Sequence, residues 1–215
     1  GDEVRDRRTS LIIDPPSGRI PRLTTEAEYR VGVRERRSFE SWESRGIAER
    51  CIAGFNTGPP MMPSAYNNYV QLIQTPDYVV VFNEMIHDAR IVPLDSRSHL
   101  AKQVPQWLGN SRGQWDGDTL VIKTENFNGH TAFSENQGAT ENMTVVERFT
   151  RLDADLLRYE FTVEDSATWA RPWTAMVMMN RSQTPIYEYA CHEGNYGMQN
   201  LLAGARAKES ETSQP

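Results

Sequence analysis

The residue types best suited to chemistry are concentrated in one stretch, Asp77–Asp95 (DYVVVFNEMIHDARIVPLD). Two apolar, strand-like runs flank a polar block that contains Glu84, His87, Asp88 and Arg90. Unpaired polar groups are costly to bury, so these side chains should pair with one another or line a cavity. Imidazole exchanges protons near neutral pH, and guanidinium stabilises negative charge. The block therefore indicates acid–base chemistry with His87 as the base, oriented by Glu84 or Asp88 and assisted by Arg90.

Two residues from other parts of the chain complete this candidate catalytic set. In the strand predicted over Met143–Leu152, the alternation of side chains places Glu147 on the apolar face. Burial would disfavour its charged form unless Arg90 or a histidine is its partner. His192 belongs to a second polar cluster, Cys191–Tyr196, which follows the last predicted strand. Both residues are expected to approach the site from other strands.

A structural interpretation of the same residues stays open. His87 would then cap a turn, and Arg90 would form an ion pair with Asp88 or Glu84. For Glu147 the alternative is a strand register shifted by one residue, which would turn its side chain outward.

Other kinds of site lack their sequence signatures. The histidines His87, His99, His130 and His192 form no closely spaced pair, so a zinc or copper site would have to assemble across strands. No nucleophile elbow, P-loop or dinucleotide-binding motif is present. Cys191 adjoins His192, but adjacent residues of a strand point to opposite faces. We therefore predict no metal and no cofactor.

The composition restricts the class of protein and its partners. The 215 residues, 38% hydrophobic and 24% charged, are typical of a globular domain with a full core. A net charge of −6 argues against nucleic acid as a partner. No run approaches the roughly 18 apolar residues of a membrane span. A small molecule remains the expected ligand.

Residues 1–68 are predicted to form an extended, partly helical arm that packs on the rest of the chain. A helix is predicted from the capping residues Thr24 and Thr25 to about Arg37. A second helix is predicted over Phe39–Arg50. The proline-rich stretch Gly54–Asn68 is predicted to be a loop.

Residues 69–215 have the pattern of an antiparallel β domain, because β-branched and aromatic runs alternate with short polar turns. We predict a single meander β-barrel of about eight or nine strands, with a short C-terminal helix over Asn195–Lys208. The meander resembles lipocalin-like barrels, which bind or transform small apolar molecules. The strands are predicted over Tyr69–Thr75, the two halves of Asp77–Asp95, Trp115–Phe127 with a turn at Asp116–Gly117, Met143–Leu152, Leu156–Asp165, Pro172–Asn180 and Ile186–Cys191.

The phrases NEMIHDARIVPLD, WDGDTLVIKTENF, VVERFTR, YEFTVED and YEYACHEGNYGM carry a further resemblance. They are similar to an uncharacterised family of bacterial proteins, usually exported, over nearly all of the chain. The resemblance implies a periplasmic or secreted protein and supplies no catalytic residues. It also favours a disulfide between Cys51 and Cys191 over two free thiols, since both lie at the ends of predicted ordered segments.

Three functions are compatible with these observations. The first is an exported lyase, isomerase or hydratase that acts on a small, partly apolar molecule in the barrel. The second is a non-catalytic carrier with the same barrel. The third is a self-associating structural protein whose arm adds to the sheet edge of a second copy. An enzyme should show imidazole and carboxylates converging inside, whereas a carrier's interior should be apolar.

Overall fold

The computed structural model describes residues 8–34, 41–54, 56–131, 133 and 138–212, with the Arg34 side chain excepted. The fold is mainly β, with 32% of residues in strands and 17% in helices. The strands are β1 (Ile12–Asp14), β2 (Val70–Gln74), β3 (Tyr78–Asn83), β4 (Ala89–Pro93), β5 (Asn110–Asp116), β6 (Thr119–Glu125), β7 (Thr144–Arg151), β8 (Leu156–Glu164) and β9 (Trp173–Asn180). The α-helices are α1 (Thr25–Arg34) and α2 (Tyr196–Thr212), and short 3-10 turns cover Trp42–Ser44 and Met85–His87.

The strands form two antiparallel sheets. Six strands pair in the order β1-β9-β8-β7-β6-β5, and three pair in the order β2-β3-β4. The prediction of an antiparallel, mainly β fold is confirmed, but no closed barrel is found among the described residues. Where β4 approaches β5, a Cβ on Gly113 would lie 2.9 Å from side-chain atoms of Val92 and Leu94. Side-chain packing, and not a hydrogen-bonded ladder, joins the sheets at this point.

One hydrophobic core fills the space between the two sheets. Strand alternation decides which side chains enter it: along β8, Tyr159, Phe161 and Val163 are buried, as their alternation in the sequence predicts. Val81 and Val92 enter from the three-stranded sheet. The inward faces of both sheets therefore carry the residues that can meet inside the protein.

The N-terminal arm is partly integrated into the larger sheet. Ile12 of β1 pairs with Ala175 of β9, so this segment extends the sheet of its own chain. Helix α1 begins where the backbone N–H of Ala27 donates to Thr24 Oγ1 at 3.1 Å, which confirms the predicted N-cap. The helix predicted over Phe39–Arg50 is wrong for residues 41–50, which hold a 3-10 turn instead, and residues 35–40 lie outside the described residues.

The C-terminal part departs from the prediction in one element. The strand predicted over Ile186–Cys191 is absent, since residues 181–195 of the described chain contain only extended segments and turns. Helix α2 is confirmed and begins after Asn195, whose Oδ1 accepts from the N–H of Met198 at 3.3 Å. None of the helices in the described part of the chain combines the length and apolarity needed to cross a membrane.

Candidate functional site

A buried ion pair joins the two sheets. Arg90 on β4 and Glu147 on β7 form a two-pronged contact in which Arg90 Nη2 donates to Glu147 Oε1 at 2.9 Å and Arg90 Nη1 donates to Glu147 Oε2. Glu147 is 0% exposed and Arg90 is 7% exposed. Arg90 Nη1 also contacts Ser111 Oγ at 3.5 Å. The prediction that Glu147 points inward is confirmed, and Arg90 is its partner.

Tyr159 connects this ion pair to the loop that precedes β2. Its hydroxyl donates to Glu147 Oε1 at 2.7 Å and accepts from the backbone N–H of Met61 at 2.9 Å. The phenol ring is 0% exposed and packs against Phe149, with ring centroids 4.8 Å apart. Arg90, Glu147 and Tyr159 thus form a polar network inside the core, with Met61 held at its end.

Burial and charge act in opposite directions within this network. Burial lowers the pKa of Arg90, but the charge of Glu147 and its hydrogen bonds outweigh burial, so that the pKa of Arg90 is raised. Burial and the neighbouring Glu147 carboxylate raise the pKa of Tyr159 well above its usual value, although the Arg90 charge opposes them. Tyr159 therefore stays protonated and keeps donating to Glu147. The network is closed to solvent, and no substrate can reach its reacting atoms in this conformation.

The polar turn between β3 and β4 holds the other residues of the predicted set. Glu84 is buried, its Oε2 lacks a hydrogen-bond partner, and its carbonyl accepts from the N–H of His87 at 3.2 Å. The His87 ring is exposed and meets Phe82 edge-on, and its Nδ1 accepts from the N–H of Tyr189 at 3.0 Å. His87 thereby holds the C-terminal segment and does not join the Arg90–Glu147 network.

Backbone strain marks the same turn. Ile86 and His87 have φ values of 59° and 55°, in the left-handed region that disfavours a β-branched residue such as Ile86. Burial raises the pKa of Asp88, while the Arg90 charge and a backbone hydrogen bond from Ala89 oppose the rise. The Oδ2 atom of Asp88 is buried without a hydrogen-bond partner. The Arg90 charge acts on Asp88, but the ion pair of Arg90 with Asp88 or Glu84 that the structural interpretation predicted is wrong, because Arg90 pairs with Glu147.

The last predicted site residue, His192, lies apart from the others. It is exposed in the turn that follows Cys191, and its carbonyl accepts from the N–H of Asn195. The predicted disulfide is confirmed: Cys51 and Cys191 are bonded, with their Cα atoms 5.8 Å apart. The bond fixes the start of this turn to the segment before the proline-rich loop. Among the described residues, no group of three or more His, Cys, Asp or Glu is placed to hold a metal ion.

A cleft lies next to the buried network, between the proline-rich loop and the end of β9. Its volume is about 500 Å³, within the range of small-molecule sites. The described residues that line it include no carboxylate, imidazole, ammonium or guanidinium group. Thioether, aromatic, aliphatic and amide groups share the lining: Asn56, Met61, Met62, Pro63, Tyr66, Asn67, Asn68, Tyr69, Val70, Asn83, Val177, Met178, Met179 and Asn180.

Sequence reasoning missed this cleft because it treated Gly54–Asn68 as a loop only. The signal was present in the composition of GFNTGPPMMPSAYNN, where asparagines and paired methionines alternate with prolines. Met178 and Met179 of β9 also line the cleft, and methionine side chains adapt to varied apolar shapes.

Comparisons with protein-family models, with curated proteins and with solved structures found no match to this chain.

Proposed function

We propose that this protein is a non-catalytic binding protein for a small, uncharged, partly apolar molecule that occupies the cleft. The observation that carries the proposal is the lining of the cleft, which combines four methionines with amide and phenol groups and no charged side chain. Methionine side chains adapt to varied apolar shapes, and a few polar groups among them fix orientation. An ionic ligand would leave water for this lining without a countercharge.

The placement of the predicted catalytic residues supports binding better than acid–base catalysis. Arg90 and Glu147 satisfy each other in the core, and His87 and His192 are exposed on turns. An acid–base enzyme needs its proton-transfer group within hydrogen-bond reach of the substrate. None of these side chains lines the cleft in which we expect the small molecule to bind.

Export to the periplasm or the medium is part of the proposal. The Cys51–Cys191 disulfide supports it, because such bonds persist in oxidising compartments. The family resemblance points in the same direction. Self-association through the arm has less support, because the described part of the arm pairs with β9 of its own chain.

Methyl NMR of protein labelled at the methionine methyl groups tests the proposal. The cleft methionines are Met61, Met62, Met178 and Met179, and the control methionines are Met85, Met143, Met176 and Met198. We expect 2-naphthol to shift the cleft methionines saturably, and naphthalene-2-sulfonate, of similar shape but charged, to leave them unshifted. Shifts confined to the control methionines, or equal binding of the sulfonate, would overturn the proposal.

A matched pair of variants locates the binding. Met179→Trp enlarges an inward-facing side chain of the cleft, whereas Met176, three residues away, lies on the opposite face of β9 and outside the cleft lining. Met179→Trp should weaken 2-naphthol binding by about tenfold or more, the effect of overfilling an apolar pocket. Met176→Trp should leave the affinity unchanged. Equal effects of the two variants would place the ligand elsewhere.

A further inference from the structure

A second concavity lies where the β5–β6 and β7–β8 turns meet Gln74, the last residue of β2. We call it the hairpin pocket; its volume is about 840 Å³, and it shares no lining residue with the cleft. Trp115 and Leu152, which are 46% and 44% exposed, give it apolar surface. Asp118 and Arg151 add charged groups to the same lining. The hairpin pocket therefore combines an exposed indole with polar groups from both sheets.

Strand register shows on which face these side chains lie. Directly opposed residues of an antiparallel pair share a face, and Trp115 of β5 is opposite the core residue Leu120. Gln74 is likewise opposite the core residue Val79. Arg151, the last residue of β7, has the same parity as the buried residues of that strand. All three side chains therefore belong to the inner faces of the sheets, at the end where the core gives way to solvent.

The polar groups of the hairpin pocket keep hydrogen-bonding capacity. Arg151 Nε donates to the Asp153 carbonyl at 3.0 Å and its Nη2 donates to the Ala154 carbonyl at 3.2 Å, so the β7–β8 turn fixes the guanidinium. Within the described part of the chain, Arg151 Nη1, the Gln74 amide and the Asp118 carboxylate have no hydrogen-bond partner. The guanidinium offers donors, the carboxylate offers acceptors and the amide offers both.

We propose that the hairpin pocket binds a sugar of the β-linked glucopyranoside class. The electron-rich face of an indole attracts C–H groups, and a pyranose ring whose hydroxyls are all equatorial presents a flat C–H face to it. The hydroxyls at the edge of that ring both donate and accept, which matches the mixture of polar groups around Trp115.

The charges of the lining favour a neutral ligand. The carboxylates of Asp118 and Asp153 oppose an anion, and the Arg151 guanidinium opposes a cation. This site goes beyond the function proposed for the cleft, because its lining residues and its ligand class are both different.

The indole N–H signals in NMR spectra of the unaltered protein test the proposal, with cellotriose as the probe. We expect cellotriose to shift the Trp115 signal saturably and to leave Trp42 and Trp107 unshifted, since these are also exposed but lie outside the hairpin pocket. Sorbitol, which has the hydroxyls without the ring, should leave Trp115 unshifted. An unshifted Trp115 with cellotriose, equal shifts of all three tryptophans, or an equal effect of sorbitol would overturn the proposal. A saturable shift with choline and none with cellotriose would identify a cation site in its place.

Variants locate the sugar, with the backbone amide of Gly117 as the readout. Trp115→Leu keeps an apolar side chain but removes the flat ring, so it should weaken cellotriose binding by at least about tenfold. Gln74→Ala removes an amide contributed by the smaller sheet and should weaken binding by about twofold to tenfold. Trp107→Leu, the matched control, should bind cellotriose as the unaltered protein does.

Unchanged affinity of Trp115→Leu, or an equal loss in Trp107→Leu, would overturn the assignment to the hairpin pocket. If Trp115→Leu does not fold, the comparison of the three exposed tryptophans in the unaltered protein decides. Failure of this proposal leaves the cleft proposal standing, because 2-naphthol and the cleft methionines test that one separately.

Discussion

Replacing Glu147 by Gln tests the buried ion pair most directly. The amide preserves the shape of the side chain and one acceptor oxygen but removes the negative charge. Arg90 cannot lose its proton, so a guanidinium that is 7% exposed would remain charged without its counterion. Its Nε already lacks a hydrogen-bond partner, so the site offers no replacement for the lost charge. We expect Glu147→Gln to lower the free energy of unfolding by about 3–5 kcal/mol.

This loss is a large part of the stability of a typical domain, about 5–15 kcal/mol. In a chain of this size each 1 kcal/mol shifts the melting temperature by roughly 2–4 °C, so Tm should fall by about 6–20 °C. Urea and thermal unfolding under non-reducing conditions measure both quantities. Asp116→Asn is a suitable control, since it breaks the exposed pair that Asp116 forms with Arg148 at 2.8 Å. That variant should lose about 0–1 kcal/mol.

A double variant separates the ion pair from the packing around it. Arg90→Met combined with Glu147→Leu removes both charges and leaves an apolar contact between β4 and β7, but it also takes the acceptor away from the buried Tyr159 hydroxyl. We therefore expect a loss of about 1–3 kcal/mol, smaller than that of Glu147→Gln. A loss below about 1 kcal/mol in Glu147→Gln, or a double variant as unstable as the single one, would contradict the stabilising role of the ion pair.

Three further predictions concern neighbouring features. Burial raises the pKa of Asp88 in the folded state, so the folded protein binds a proton on this carboxylate more tightly than the unfolded chain does. Ionisation of Asp88 therefore lowers the free energy of unfolding as the pH rises above about 4. Asp88→Asn should therefore stabilise the protein in urea unfolding at pH 7, and the gain should vanish below about pH 4. Reduction of the Cys51–Cys191 disulfide, which spans 140 residues, should cost at most about 5 kcal/mol and speed amide hydrogen exchange in residues 196–212; unchanged exchange there would contradict it. Tyr159→Phe should cost about 1–3 kcal/mol in urea unfolding, because it leaves the N–H of Met61 without a partner and removes one of the two hydrogen bonds to Glu147 Oε1.

Strand-level features were predictable from local patterns. The alternation along β7 and β8 depends only on neighbouring residues, and it correctly placed Glu147 and Tyr159 on the inward face. The disulfide followed from the presence of only two cysteines together with the family resemblance. Whether the strands close into one barrel depends on contacts between distant segments, such as the packing of Val92 against Gly113, which no local pattern encodes.

The errors arose where tertiary contacts override local preference. The segment Ile186–Cys191 has the composition of a strand, yet Tyr187 is 63% exposed. The disulfide at Cys191 and the bond from the Tyr189 N–H to His87 hold the segment in place of a ladder. The polar turn between β3 and β4 was predicted to bring His87 and Arg90 to one site. The sequence shows that the two residues are close along the chain, but it does not show that their side chains point to different parts of the protein.

The buried network and the cleft belong to one structural arrangement. Tyr159 donates to Glu147 and accepts from the N–H of Met61, a residue that lines the cleft. Arg90 orients the Glu147 carboxylate, and the carboxylate orients the Tyr159 hydroxyl. The hydroxyl in turn holds the backbone of Met61 in the cleft wall. Under the proposed binding function, Arg90, Glu147 and Tyr159 are positioning residues for the cleft wall. The buried network thus anchors the middle of the proline-rich loop, at Met61, to β8 of the larger sheet.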